Sequence, residues 1–209
     1  FHGPHEDAQG MTTDGAAWYL TTNGNKEIRK YGDGAQLLAS RKVHGSAHVG
    51  DAGYFEGTLY VPLQNPHAVW TAKQDLSNPV RHPITEKGND RFAWCDVNPL
   101  NGRLYTAEYH HYNNNPGVLF AYDKDTFVRR PEDDIQLGAT PIHFDRIQGG
   151  VFTRHGRVIL SRFDNNGIFC HSAITGATLG AKHLGNFGHG DSSRPWGSEI
   201  EGVTVRPWQ

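Results

Sequence analysis

One pattern constrains this chain more than any other. A short β-type run, a tight turn ending in Gly and a second β-type run return along the sequence. Residues 50–61 read GDAGYFEGTLYV, residues 94–105 read WCDVNPLNGRLY and residues 148–159 read QGGVFTRHGRVI. Gly57, Gly102 and Gly156 stand where a two-stranded turn needs φ > 0, which Gly adopts at no steric cost. A fourth copy is divided between the chain ends, with residues 199–205 (EIEGVTV) matching the first run and residues 16–22 (AAWYLTT) the second. A third β-type run follows each second one, at residues 26–32, 68–74, 118–124 and 167–174. Weaker fourth runs follow near residues 37–43, 81–87, 134–137 and 178–184. The unit returns at a period of about 47 residues, the spacing of four-stranded propeller blades.

These repeats predict an all-β chain, a four-bladed β-propeller closed by pairing the C-terminal strand with the N-terminal blade. Residues 1–14 are then an N-terminal arm and residues 15–209 a single propeller domain. The competing architecture is a β-sandwich of similar strand count, which gives no reason for paired Gly-turn repeats. No ten-residue stretch has a capped helical period.

The unit resembles the β-propeller repeats of secreted calcium-dependent lactonases and, in its count of four blades, hemopexin-type propellers with an ion-binding axial channel. Glu201-Gly202 resembles the Glu-Gly pair of those lactonases in which the Glu is a metal ligand. The resemblance implies a divalent cation, Ca²⁺, with Glu201 as a ligand. Four blades cannot reproduce a six-bladed site, so it does not imply the lactonase activity.

Composition narrows the partners. With 20 Lys+Arg against 22 Asp+Glu, there is no broad cationic field for nucleic acid or an anionic membrane. No apolar run approaches the roughly 18 residues of a bilayer span. Cys95 and Cys170 are too few for a disulfide framework and form no CxxC, leaving free thiols or one disulfide. The chain starts at Phe1 without a signal-peptide pattern, as a processed or trimmed chain would. The expected location is extracellular or periplasmic, and the expected state a monomer.

A propeller sorts its loops onto two faces. The turns joining first to second strands are short. The loops joining second to third strands, and those leading into each blade, are longer and more polar, which selects that second face for function. Alignment places Asp51, Trp94, Gln148 and Glu201 at equivalent positions around the axial channel mouth. Asp51, Gln148 and Glu201 offer oxygens suited to a hard cation. Asp51, Trp94, Gln148, Arg91, Arg146 and Glu108 are candidate ligand-binding residues, and Arg91 and Arg146 also fit repeated structural ion pairs with Asp90 and Asp145. His48, on the same rim, and His110, beside Glu108 in the longest loop, are candidate proton carriers with Glu201.

Two functions follow from one unique polar site. The first is metal-assisted hydrolysis or elimination on a carbohydrate or lactone-like substrate. The alternative is a non-catalytic carbohydrate- or protein-binding module, lectin-like or hemopexin-like, with an axial ion. The rim residues differ from blade to blade, which favours one site over several equivalent ones. No GxSxG, P-loop, dinucleotide fingerprint or HExxH is present.

Overall fold

The computed structural model describes residues 8–84, 92–107, 117–138, 147–162, 167–184 and 202–206. The first sheet is β1 (Ala8–Thr13), β2 (Trp18–Thr22), β3 (Glu27–Tyr31) and β4 (Leu37–Lys42), in that order. In the second, β5 (His48–Val49) and β6 (Gly53–Phe55) share the inner position and pair with β7 (Thr58–Gln64), followed by β8 (Ala68–Lys73) and β9 (Val80–Pro83). The third is β10 (Asp96–Asn98), β11 (Arg103–Ala107), β12 (Val118–Asp123) and β13 (Ile135–Gln136). The fourth is β14 (Ile147–Phe152), β15 (Arg157–Arg162), β16 (Gly167–Ser172) and β17 (Thr178–His183). Every strand pair within a sheet is antiparallel, and the inner strands β1, β6, β10 and β14 approach one another about a common axis. This is the four-bladed propeller that the repeat predicts.

Local chemistry makes each blade a meander. The turn glycines Gly15, Gly57, Gly102 and Gly156 have φ between +68° and +90°, the left-handed region that closes each inner hairpin. Burial falls from axis to rim. Every residue of β17, and all but one of β4, is exposed. The second strands put Tyr19, Leu59, Leu104 and Leu160 wholly inside. The apolar core lies between blades. One cluster joins Tyr19 and Ile28 of the first blade to Leu59 and Leu63 of the second. Another joins Tyr60 and Val69 to Val97 and Tyr122 of the third, and the last joins Tyr105 and Leu119 to Phe152 and Leu160 of the fourth.

One expectation is corrected. The partner of β2 is β1, not the C-terminal segment: Met11 pairs with Leu20 and Thr13 with Trp18. Residues 8–13 therefore belong to the propeller rather than to an arm, and residues 1–7 lie outside the described residues. The reason is entropic. A strand that returns through Asp14-Gly15 closes a loop of a few residues, whereas pairing the chain ends must close nearly the whole chain. The C-terminal segment, residues 202–206, does lie against the first blade, but beside β1. Arg206 donates to the Gly15 carbonyl at 2.9 Å and to Asp33 Oδ2 at 3.0 Å, and its guanidinium stands 5.5 Å from the Trp18 ring centroid.

Candidate functional site at the axis

Asp51 occupies the middle of the axis. Its own backbone runs parallel to the third blade, its N–H donating to the Ala93 carbonyl at 2.8 Å and its carbonyl accepting from Cys95 N–H at 3.1 Å. Its side chain reaches the other blades. Oδ1 accepts from Met11 N–H of the first at 2.9 Å, and Oδ2 accepts from Gly150 N–H of the fourth and Val203 N–H of the C-terminal segment, both at 3.3 Å. One residue of the second blade thus holds the other three and the chain end. The glycines around it make room. A Cβ on Gly10 would stand 2.2 Å from Asp51 Oδ1, one on Gly149 2.7 Å from Oδ2 and one on Gly202 2.8 Å from Oδ1. Burial pushes the Asp51 carboxyl well above the usual range and neighbouring Asp96 adds to it, against the pull of the three amides.

Asp96 lies next along the axis toward the hairpins. Its Oδ2 accepts from Phe152 N–H at 2.8 Å, and burial raises its pKa to about 7, against the bonds from Phe152 and Val97. It lines a cavity of about 640 Å³ on the face of the four inner hairpins. Every blade contributes to the wall: Asp14 from the first, Tyr54 and Glu56 from the second, Pro99 from the third, and Arg154 and His155 from the fourth. Thr204, Val205 and Arg206 complete it. Acidic, basic and aromatic groups therefore share one concave surface over a buried carboxyl that exchanges its proton near neutrality.

The sequence candidates distribute as follows. Asp51 and Gln148 are buried at the axis, and Gln148 falls at an irregularity of β14, between Ile147 and Gly149. Trp94 is wholly buried in the core between the third and fourth blades, its ring over Gly150, where a Cβ would stand 2.7 Å from Cε3. His48 is half-buried opposite Gln64, at the end of the second blade away from the hairpins. Arg91, Glu108, His110, Arg146 and Glu201 lie outside the described residues. By register the fourth equivalent of Asp51, Trp94 and Gln148 is Gln9, whose strand shifts register between Ala8 and Gly10 as β14 does at Gln148.

The oxygens of Asp51 already receive three amide hydrogens, a surrounding that suits an anion rather than a ligand to a cation. Among the described residues no group of three His, Cys, Asp or Glu lies together. Of the three expected cation ligands, Asp51 and Gln148 are buried at the axis, and Glu201 lies outside the described residues.

The hairpin-face cavity is the one that short turns argue against, and sequence reasoning missed Asp96, Arg154 and Arg206. Asp96 had a signal. It stands two residues before its hairpin, where the other blades carry Met11, Gly53 and Gly150. A carboxylate at that inward position is out of place unless it is used.

Fold and axis together define a four-bladed β-propeller with an axial cavity on its hairpin face. No protein-family model and no curated protein matches the sequence. Solved structures do. The Myxococcus xanthus glutaminyl cyclase superposes with a TM-score of 0.64 at 14% identity, over 87% of this chain and 72% of that one. A nidogen/laminin complex gives 0.60 at 12% identity, over 88% and 82%. The Kuenenia stuttgartiensis hydrazine synthase gives 0.58 at 11% identity, over 89% of this chain and 51% of that one. At such identities the likeness is one of fold, shared by a cyclase, a synthase and a nidogen/laminin complex alike.

Proposed function

We propose that the chain is a single-site propeller that takes a small polar ligand into the hairpin-face cavity and catalyses hydrolysis or elimination on a sugar- or lactone-like substrate. The observation that carries this reading is Asp96, a buried carboxyl at a cavity walled by all four blades. With a pKa of about 7 it is about half protonated at neutral pH, and the protonated form serves as general acid, protonating the leaving oxygen as its bond to carbon breaks. Arg154 and Arg206 offer planar donors to a substrate carboxylate or carbonyl, and Tyr54 offers a ring face to a sugar. A divalent cation at Glu201 and an extracellular or periplasmic location belong to the same reading. Elemental analysis, with melting curves in EDTA, tests the cation.

The experiment is Asp96→Asn, assayed against panels of lactones and glycans. Loss of about 10²–10⁴-fold in kcat with folding retained is the expected result. Wild-type activity should fall as pH rises through 7, because the acid loses its proton there. Binding without turnover in the wild type would favour the non-catalytic module instead, since a single-site binder shares this geometry.

A further inference from the structure

A second cleft lies at the outer edge between the first and second blades, away from the axis. It has a volume of about 530 Å³ and is walled by Arg41 and Lys42 of β4, His44 of the following segment, Trp70 of β8 and Arg81 of β9. The chain as a whole is nearly neutral, with a formal charge of -2, yet no carboxylate is among the described residues that line this cleft. Glu27 touches its wall, 3.9 Å from Lys42 Nζ, and is itself engaged by Arg29. Lys42 also donates to the Asn25 carbonyl at 2.8 Å, leaving half of its side chain in water.

Arg81 supplies an independent sign. One of its terminal nitrogens donates to the Pro66 carbonyl at 3.3 Å, which anchors the guanidinium, while its Nε is buried and has no hydrogen-bond acceptor. A buried guanidinium N–H without an acceptor is costly, and a bound oxyanion satisfies it. Arginines present paired donors that match the oxygens of phosphate or sulfate, and Trp70 gives an apolar wall for the body that carries the anion.

We propose that this interblade cleft binds a tetrahedral oxyanion, a phosphate or sulfate group, through Arg41 and Arg81, with Lys42 supplying further charge and His44 a ring nitrogen at the wall. The site is separate from the axial cavity and shares no lining residue with it.

The test follows the indole N–H of Trp70 and the Nε–H of Arg81 by ¹H–¹⁵N spectroscopy. The full chain is titrated with inorganic phosphate and inorganic sulfate at constant ionic strength, with chloride as the reference anion. The expected result is saturable shifts of both signals with phosphate or sulfate and none with chloride. Arg41→Gln and Arg81→Gln should each weaken binding by about tenfold or more, as loss of a charge-assisted pair does. Glucose 6-phosphate and glucose 6-sulfate form the second arm. Tighter binding than the inorganic ions identifies an ester as the ligand, and equal binding identifies the free anion. An equal response to chloride, no saturable shift, or unchanged affinity in both folded variants overturns the proposal. Arg41, on an exposed edge strand, keeps the test valid should Arg81→Gln fail to fold.

Discussion

Asp51 shows how much a single side chain can carry. Replacing it with Ala leaves three amides without an acceptor, that of Gly150 buried and those of Met11 and Val203 part-buried, at a cost of about 1–3 kcal/mol for a fully buried one and less for the others. Asp51→Ala should therefore fail to fold or lose about 3 kcal/mol in a denaturant titration, while Asp51→Asn, which keeps one acceptor oxygen, should lose less. Asp96 governs pH dependence. Its carboxyl is raised from 3.8 unfolded to about 7 folded, so between those values the folded chain holds a proton that the unfolded chain has released. Stability is therefore greatest at the acid side of that window and falls as pH rises toward 7, by at most about 1.4 kcal/mol per pH unit for this group. Thermal melts from pH 4.5 to 8 should show that slope, and Asp96→Asn should flatten it; Asp51, also raised, keeps part of it. Gly150 is a third such position. A methyl there meets three carbons of the Trp94 ring at 2.7–2.8 Å. Gly150→Ala should cost about 1–3 kcal/mol by overpacking, read as a lowered Tm and a shifted Trp emission.

At the scale of the element, the inner hairpins were legible and their axial ends were not. Gly57, Gly102 and Gly156 announce turns because φ > 0 is a local demand that local sequence must meet. The inner strand of the first blade is not legible because Gln9-Gly10 falls in the stretch read as an N-terminal arm, yet it repeats Gln148-Gly149, and both pairs sit at register shifts of an inner strand. Gly10 and Gly149 are there to clear Asp51, a contact across blades that no window of sequence contains. The hydroxyls of the second strands tell the same story. Thr21 and Thr106 occupy one blade position, but Thr21 donates to Gly50 of the next blade at 2.8 Å and Thr106 to Trp94 of its own at 2.6 Å. Trp94 was read as a rim residue because alignment gives a position along the strand but not the side it faces. Asp96 was passed over because a lone carboxyl within an apolar strand gains meaning only beside a cavity.

Across the whole molecule, three interblade boundaries are filled by apolar clusters among the described residues. Between the fourth blade and the first runs residues 202–206, held by polar contacts: Val203 to Asp51, and Arg206 to Gly15 and Asp33. Closure of the ring leans on this polar segment. A chain ending at residue 201 should keep its three apolar boundaries yet melt at a lower temperature, and hydrogen exchange should show amides of β1 losing protection before those of β7 or β11. No described helix is long and apolar enough to cross a membrane.

The crowding of Gly10, Gly149 and Gly202 around Asp51 has one more consequence. Backbone meets backbone there, so among the described residues the hairpin-face cavity has a floor at the axis. Among the described residues, a ligand of the proposed site would have its approach from the hairpin face.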